Sequence, residues 1–485
     1  MRILTPEQKL AKLAVPPAIK NLKKSFTRAE VYIVGGSVRD VLISRQPNDI
    51  DFVVRHVSYA KLAQYLNQHG TAQYAGRRFG VIKYFPKSSK EVYDVALPRL
   101  EHSLYLKGGY RDFAVHTDPR LPLAEDLKRR DFTVNAMAWD IYKKKLVDPS
   151  GGIDDLASRL IRAVGNPLLR FQEDYTRLLR ALRLAVQLDF SVEPGTWQSV
   201  RGLISHLNDS VLPRESVASE LVKMFQANPT ESVDILDLSG ALRVLIPEAL
   251  EMKTCPQPEK DHGEGTVWDH ARLSLEAFHQ PELKKLLPKF KPDAELYFAT
   301  WLHDIGKVST QKMVRNKDGN TFPFWHHDKV GVVVVNNIAT RLKLSSANGQ
   351  IIPARLAWLV RYHLLRFGAK TMDMLVVDQF LGNPKLPSQK LLALMFADCW
   401  ASRPKGKRAH WEGVSILINR MKLVKQRGYS GNKPTYLLSG EEVMTHLNVL
   451  SGPKVGNLLT QLRLRQLNGQ IKTKTGALAF LKKQA

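Results

Sequence analysis

Along the first third of the chain, apolar residues come in short runs bounded by turn formers, the rhythm of strands. Along the rest they recur at three- and four-residue spacing, the rhythm of helices. The runs predict strands from Val31 to Val34, Asp49 to Val54, Gly80 to Phe85 and Val92 to Leu97, with a helix from Ser58 to Gln68 between them. Beyond Asp148-Pro-Ser-Gly-Gly152 the strand signal nearly vanishes, and Pro and Gly mark breaks between helical stretches. The expectation is an α/β head over 28–150 followed by an all-α body. That body divides into a neck (151–250), a third region (251–401) opened by Cys255-Pro-Gln-Pro-Glu-Lys-Asp261, and a helical tail (402–485) introduced by the basic Ser402-Arg-Pro-Lys-Gly-Lys-Arg408.

At 485 residues the chain is too long for one ordinary core, and 44% hydrophobic residues are enough to fill several. Lys and Arg outnumber Asp and Glu by 72 to 46, a net charge of +26, which suits a polyanionic partner held by phosphate contacts. A basic membrane-surface protein shares that balance. However, the N-terminus shows no apolar stretch of signal-peptide length, and no run of about 18 uncharged apolar residues occurs. A cytoplasmic protein with no membrane contact is expected, as a monomer or a homodimer. Cys255 and Cys399 are too few for a disulfide framework or a zinc cluster and read as reduced thiols.

Two neighbouring segments of the head carry chemistry. In Val31-Tyr-Ile-Val-Gly35-Gly36-Ser37-Val38-Arg39-Asp40 an apolar strand runs into paired glycines with Arg39 just beyond, which suits a phosphate-binding turn. Asp49 and Asp51 in Asn48-Asp49-Ile50-Asp51 fall at alternate positions of the second predicted strand, so both face one side and can hold divalent metal together. Taken singly, a glycine pair is also a plain tight turn and Asp-x-Asp a solvated edge. In this order and spacing they resemble motif A of the class II tRNA nucleotidyltransferase and bacterial poly(A) polymerase family, within the DNA polymerase beta nucleotidyltransferase superfamily.

The resemblance extends along the chain. It makes Asp94 in Tyr93-Asp94-Val95 a third carboxylate that supports the metal or deprotonates the attacking hydroxyl. It makes the segment around Gly108-Gly109-Tyr110-Arg111-Asp112 a loop that helps switch C addition to A addition. Asp126-Leu-Lys-Arg129-Arg130-Asp131-Phe132-Thr133-Val134-Asn135 resembles motif B. By that likeness Arg130 and Arg39, with Gly36, bind triphosphate, while Asp131 and Asn135 contact the ribose or brace the site. A guanidinium suits the task because its rigid fork donates bidentately to phosphate.

In Glu173-Asp174-Tyr175-Thr176-Arg177-Leu178-Leu179-Arg180-Ala181-Leu182-Arg183, Leu178, Leu179 and Leu182 share an apolar helical arc. Asp174, Arg177, Arg180 and Arg183 wind round the other side, an arc expected to face a ligand. By resemblance Asp174 and Arg177 select the base by hydrogen bonds to its Watson–Crick edge, and Arg180 and Arg183 support nucleotide binding. No G-x-x-x-x-G-K-[ST] or strand-linked G-x-G-x-x-G occurs, which weakens ATPase, kinase and dinucleotide-enzyme readings.

The third region holds Trp268-Asp-His270, Trp301-Leu-His303-Asp304-Ile-Gly306-Lys307, Trp325-His326-His327, Tyr362-His363 and Ala397-Asp398. Imidazole and carboxylate are suitable ligands for a hydrolytic divalent metal. Their order resembles the HD phosphohydrolase superfamily, which makes His270, His303, Asp304 and Asp398 the metal ligands. His327, better placed than His326, and His363 then contact phosphate or a second ion. In the tail, a turn at Gly452-Pro453 precedes Arg463, Arg465, Lys472 and Lys474, which fit either a tRNA-backbone contact or a solvated face.

The whole is identified as resembling bacterial CCA-adding enzymes that carry an HD domain: an α/β head of DNA polymerase beta nucleotidyltransferase type, an all-α body, an α-helical HD domain and a helical tail. The resemblance implies template-independent addition of CCA to tRNA 3′ ends from CTP and ATP with release of pyrophosphate. It also implies Mg2+ at Asp49 and Asp51, and a transition metal such as Ni2+ or Mn2+ with phosphodiesterase or phosphatase activity at the HD site. The alternatives are a poly(A) polymerase, towards which Gly76-Arg77-Arg78-Phe79 points, a C-only or A-only enzyme, and a metal phosphohydrolase whose head only binds RNA.

Overall fold

The computed structural model describes residues 4–47, 49–75, 80–87, 89, 91–103, 113–208, 212–311, 314–316, 319–321, 324–403 and 410–484. They form two compact units, Met1–Leu245 and Ile246–Ala485, whose boundary falls close to the expected division at 250/251. The divisions expected at 150/151 and 401/402 fall inside the units.

The first unit is built on a mixed seven-stranded sheet. Its strands are β1 (Glu30–Val34), β2 (Asp51–Arg55), β3 (Gly70–Ala75), β4 (Val81–Pro86), β5 (Tyr93–Ala96), β8 (Ala138–Asp140) and β9 (Lys145–Val147), in the order β3-β4-β5-β2-β1-β8-β9. A separate hairpin pairs β6 (Arg99–Ser103) with β7 (Phe113–Thr117). The continuous apolar runs of β1 and β2 are explained by burial on both faces: Val31 to Val34 and Phe52 to Val54 are all buried. One face, with Tyr32, Val34 and Val53, packs on Leu123 and Leu127 of the helix Leu123–Lys128.

Strand β2 runs parallel to β5, so the chain between them must cross over. It does so through the helix Tyr59–His69 and the hairpin β3–β4, where the sequence had shown only β4 and the helix. The short β8 and β9 and the β6–β7 pair were likewise not expected, since three- to five-residue strands leave little alternation to detect. The expected switching loop around Gly108, the segment Gly76 to Phe79, and most of the basic linker after Arg403 lie outside the described residues.

The rest of the unit is helical, with Pro167–Glu173, Thr176–Leu188, Pro194–Leu203, Arg214–Ala227 and Pro229–Ser239 as its main elements. The second unit carries Val267–Glu276, Ala294–Leu302, His327–Arg341, Pro353–Tyr362 and Ser388–Ala401, followed by Glu412–Gly428, Gly440–Leu447, Pro453–Leu467 and Lys474–Lys482. The last three helices close a small core of Val443, Val455, Leu458, Leu462, Ala477 and Leu481. Among the described residues no helix is long and apolar enough to cross a membrane. Both cysteines are free and buried.

Space requires the glycines beside both clusters of charged residues. Gly35 joins β1 to the helix Gly36–Leu42 at φ +75°, and a Cβ there would lie 2.7 Å from Arg130 Nη1. Gly306 lets the helix His327–Arg341 approach until a Cβ would lie 2.0 Å from the His327 carbonyl oxygen. A Cβ on Gly36 would meet nothing closer than Arg39 Nη2 at 3.4 Å. Gly35→Ala is therefore expected to shift the urea transition towards lower denaturant by about 1–3 kcal/mol. Gly36→Ala is expected to change it by no more than about 1 kcal/mol in the same titration.

Candidate functional site

The sheet brings the head's carboxylates together at one end. Asp51 opens β2 and stands in register with Asp94 on the parallel β5, while its other neighbour is Val34, the last residue before the Gly35 turn. The strand expected from Asp49 begins instead at Asp51. Asp49 lies in the exposed segment before it, held because Ser37 Oγ donates to the Asp49 carbonyl (2.9 Å) and accepts from the Asp51 N–H (3.4 Å). A side chain from the next helix replaces the missing ladder bonds, and Ser37 had carried no signal of its own. Burial, opposed by Arg130 and reinforced by the Asp94 and Asp49 charges, pushes the Asp51 carboxyl up to about 6. A carboxylate crowded by two others is part of a fitting donor set for a hard divalent cation.

Behind them lies a buried polar chain. Arg39, at the Gly36–Leu42 helix, donates through Nη1 to Asn135 Oδ1 (2.6 Å), and Asn135 Nδ2 donates to Asp131 Oδ1 (3.2 Å). Arg180 from the helix Thr176–Leu188 closes on Asp131 Oδ2 with Nε at 2.9 Å and Nη2 at 2.5 Å. Burial pushes the Asp131 carboxyl up, and Arg180 more than offsets this, holding it well below the usual range. Arg130 lies 3.7 Å from the fully buried Asp126 and keeps a buried Nε without a hydrogen-bond partner. Asp126 accepts from Arg129 and from the Arg99 N–H, so the adjacent arginines of motif B divide between bracing and the cleft.

The charged arc expected on one helix is rearranged. The first helix stops at Glu173, Asp174 is extended (φ −152°), and a new helix starts at Thr176. Asp174 Oδ1 accepts from the Thr176 N–H (2.9 Å) and Oγ1 (2.6 Å), the local competition for backbone donors that makes Asp a helix breaker and cap. Nor are the arginines free. Arg177 is buried and donates to Glu173 Oε2 (2.5 Å) and the Arg170 carbonyl (2.9 Å), and Arg183 donates to Glu220 Oε2 (2.5 Å). The carboxylates that hold them lie one helical turn or a whole helix away, and only packing reveals the second kind. In the tail, Arg463 is likewise buried, paired with Asp378 at 2.9 Å and bonded to the Gly428 and Thr435 carbonyls, so it is a brace and not a backbone contact. Lys474 pairs with Glu442, and Lys472 is exposed.

The second unit gathers all six residues expected at its metal centre: His270, His303, Asp304, His327, His363 and Asp398. Each is buried, whereas His326 is exposed. Every imidazole is oriented through Nδ1: His303 to the Thr300 carbonyl (2.7 Å), His327 to that of Phe324 (2.8 Å), His363 to that of Val360 (2.6 Å) and His270 to Glu264 Oε1 (2.7 Å). A carbonyl can only accept, so those Nδ1 atoms carry hydrogen and the Nε2 lone pairs point inward. His270 Nε2 lies 3.3 Å from Asp398 Oδ1, and His303 Nε2 lies 3.3 Å from Asp304 Oδ2. His327 and His363 Nε2 lie 3.3 and 3.6 Å from Asp304 Oδ1 and 3.3 Å from each other.

The two oxygens of Asp304 thus serve two pairs of histidines. The buried Nε2 atoms of His270 and His303 have no hydrogen-bond partner, and a divalent cation is the species that converging lone pairs and carboxylates fit. Burial pushes His363 down to about 4, while Asp398 and Glu264 overcome burial and push His270 up to about 9. Lys307 lies 2.6 Å from Asp304, and Arg366 lies 2.5 Å from Asp398. Lys307 stood in its motif without a role, and Arg366 and Glu264 escaped the sequence reading. Lys307 and Arg366 stand three residues from Asp304 and His363, whereas nothing in the spacing of Glu264 marked it.

The family described as the Poly A polymerase head domain matches residues 31–162, and that described as the HD domain matches 276–398. His270 precedes the second match and is joined to it by geometry. The chain is 34% identical over 370 residues to an A-adding tRNA nucleotidyltransferase of Deinococcus radiodurans, covering 75% of this chain and 80% of that protein. It is 32% identical over 400 residues to a multifunctional CCA protein of Neisseria gonorrhoeae (81% and 90%), and 32% over 445 residues to that of Stenotrophomonas maltophilia (90% and 99%). In fold it is similar to the Bacillus stearothermophilus CCA-adding enzyme solved with CTP (TM-score 0.64, 19% identity, covering 99% and 98%). A similar likeness holds for the Thermotoga maritima CCA-adding enzyme solved with tRNA (TM-score 0.60, 20% identity, covering all of both chains). The joined head and HD matches, and identity above 30% across most of these relatives, establish that the chain belongs to the tRNA nucleotidyltransferase and poly(A) polymerase family, in the branch that carries an HD domain.

Proposed function

We propose that this chain adds CCA to the 3′ end of tRNA, taking CTP and ATP in turn and releasing pyrophosphate, in the cytoplasm. The observation that carries the reading is the register of Asp51 with Asp94, beside Asp49, at the end of the sheet where the Gly35 turn delivers Arg39. The terminal hydroxyl attacks the α-phosphorus of the nucleotide. Arg39 and Arg130, with the Gly36 turn, hold the triphosphate, and Asp94 supports the metal or takes the hydroxyl proton. Asp131 and Arg180 fix the floor of the pocket. Asp49 and Asp51 would hold Mg2+, which would supply the positive charge that neutralises the transferring phosphate oxygens.

Asp174 and Arg177 read the base: a carboxylate acceptor and a guanidinium donor match the exocyclic amine and ring acceptor shared by cytosine and adenine. Arg177 must then exchange Glu173 for the base, and Arg183 supports the helix through Glu220. In the HD domain His270, His303, Asp304 and Asp398 hold a transition ion such as Ni2+ or Mn2+, with His327 and His363 towards phosphate or a second ion, for phosphodiester or phosphomonoester hydrolysis. The A-adding Deinococcus relative favours a second reading, addition of the terminal A alone.

Transcripts lacking CCA, and transcripts ending in CC, incubated with CTP and ATP separately and together, test this. Extension of both to CCA is the expected result. Extension of the CC transcript alone selects A addition, long A tails on unrelated RNA select poly(A) synthesis, and no extension overturns all three. Replacing Asp49 and Asp51 by Ala is expected to reduce extension by at least about 10²-fold while leaving hydrolysis of a nucleoside 2′,3′-cyclic phosphate intact.

Proton competition supplies a further test. The folded, metal-free chain binds a proton at Asp51 more tightly than an unfolded chain does, so this group's contribution to stability is present in acid and is lost as pH rises through about 6. Asp51→Asn is therefore expected to raise the melting temperature of the EDTA-treated protein more at pH 8 than at pH 5. In wild type, the Mg2+ concentration giving half-maximal extension should rise below about pH 6. Equal shifts at the two pH values, with a flat Mg2+ requirement, would contradict the crowding of these carboxylates.

A further inference from the structure

The four histidines of the HD cluster differ in what orients them. His303, His327 and His363 present Nδ1 to uncharged backbone carbonyls, and only His270 presents it to a carboxylate. That carboxylate, Glu264, is itself unusually well held: its side chain is 4% exposed. Oε1 accepts from His262 Nδ1 as well as His270 Nδ1, both at 2.7 Å, and Oε2 accepts from the Arg403 N–H at 2.7 Å. Three short hydrogen bonds to one buried carboxylate stabilise its ionised form and leave it no freedom to turn. His262 stands edge-on to His270, ring centres 4.9 Å apart, which blocks the imidazole from swinging away from the cluster.

We propose that Glu264 is the positioning residue that makes His270 the strongest ligand of the HD cluster, so that a divalent ion enters first at His270, His303, Asp304 and Asp398 and only afterwards at Asp304, His327 and His363. A charged acceptor on Nδ1 locks the tautomer, aims the lone pair of Nε2 at Asp398 and Asp304, and raises the basicity of that lone pair more than a carbonyl does. The distances agree with two half-sites sharing one carboxylate, since Asp304 Oδ2 faces His270 and His303 while Oδ1 faces His327 and His363. Glu264 also accepts from the Arg403 N–H, and Gly263 N–H donates back to the Arg403 carbonyl at 2.8 Å. The first half-site is thereby anchored to the end of the segment that follows the Asp398 helix. No counterpart holds the second half-site among the described residues.

The inference rests on the proposed reading of the cluster as a divalent-metal centre. Its test is calorimetric titration of the full-length, EDTA-treated protein with Mn2+ alone, all forms carrying Asp49→Ala and Asp51→Ala so that the head's own cation site is removed, for the otherwise wild-type chain, Glu264→Gln and Glu264→Asp, with melting temperatures measured in EDTA. Wild type should bind in a tight step followed by a weaker one. Glu264→Gln should weaken the tight step by about 10–100-fold, leave the weaker step unchanged, and be partly restored by Glu264→Asp.

Equal tight-step affinity in wild type and Glu264→Gln would overturn the role of Glu264 while leaving the metal centre standing. A wild type that takes up no Mn2+ would overturn the centre and the inference together. Should the glutamine variant not fold, spectra of the Zn2+-loaded wild type labelled with 15N-histidine decide the matter. A His270 proton on Nδ1 and none on Nε2 is expected, and the opposite tautomer would overturn the proposal.

Discussion

A buried carboxylate is tolerable only where charge and hydrogen bonds compensate it, and in the first unit that constraint falls on Asp131. Its two oxygens take Arg180 and Asn135, and Asn135 takes Arg39, so one anion fixes three segments far apart in sequence. Removing one partner of such a pair leaves an uncompensated charge, at a typical cost of about 3–5 kcal/mol. The same interaction ties the helix Thr176–Leu188 to the segment that carries Asp131 and Asn135. Arg130 remains beside it with one buried N–H unpaired, poised towards the carboxylates at the sheet end.

The second unit solves the same problem in the opposite sense. Around Asp304 and Asp398 the compensating groups are mostly imidazoles, whose outer nitrogens are satisfied by carbonyls or by Glu264 and whose inner nitrogens are left with lone pairs. Lys307 and Arg366 balance part of the charge from outside. A centre so arranged is complete only with a cation, whereas the Asp131 chain is complete as it stands. Among the described residues the Asp131 chain is thus closed by protein, whereas the carboxylates around Asp51 and the cluster around Asp304 call for an ion.

Glycine and small polar residues set how closely these clusters assemble. Gly35 turns the chain from β1 into its helix in a conformation that side chains avoid, and Gly306 admits the backbone of His327 to the turn that carries His303 and Asp304. Ser37 ties the peptide of Asp49 to the helix that begins at Gly36. Each of these contacts shortens a distance between catalytic candidates that are distant along the chain.

The paired glycines, the Asp-x-Asp, the motif around Arg130 and Asp131, and the five His and Asp signatures were all legible in the sequence. Each is a local pattern in which residue type and spacing alone carry the signal. The strong strands β1, β2, β4 and β5 were legible for a related reason, since a strand buried on both faces reads as an unbroken apolar run. What could not be read was partnership. That Arg177 rests on Glu173, Arg183 on Glu220, Arg463 on Asp378 and His270 on Glu264 depends on which surfaces meet, and hydrophobic periodicity specifies a face without specifying its counter-charge. The sequence by itself determined the chemical groups and the elements that present them. Tertiary structure alone decided which charges are already paired and which are left to bind, because burial, not residue type, sets the cost of an unpaired charge.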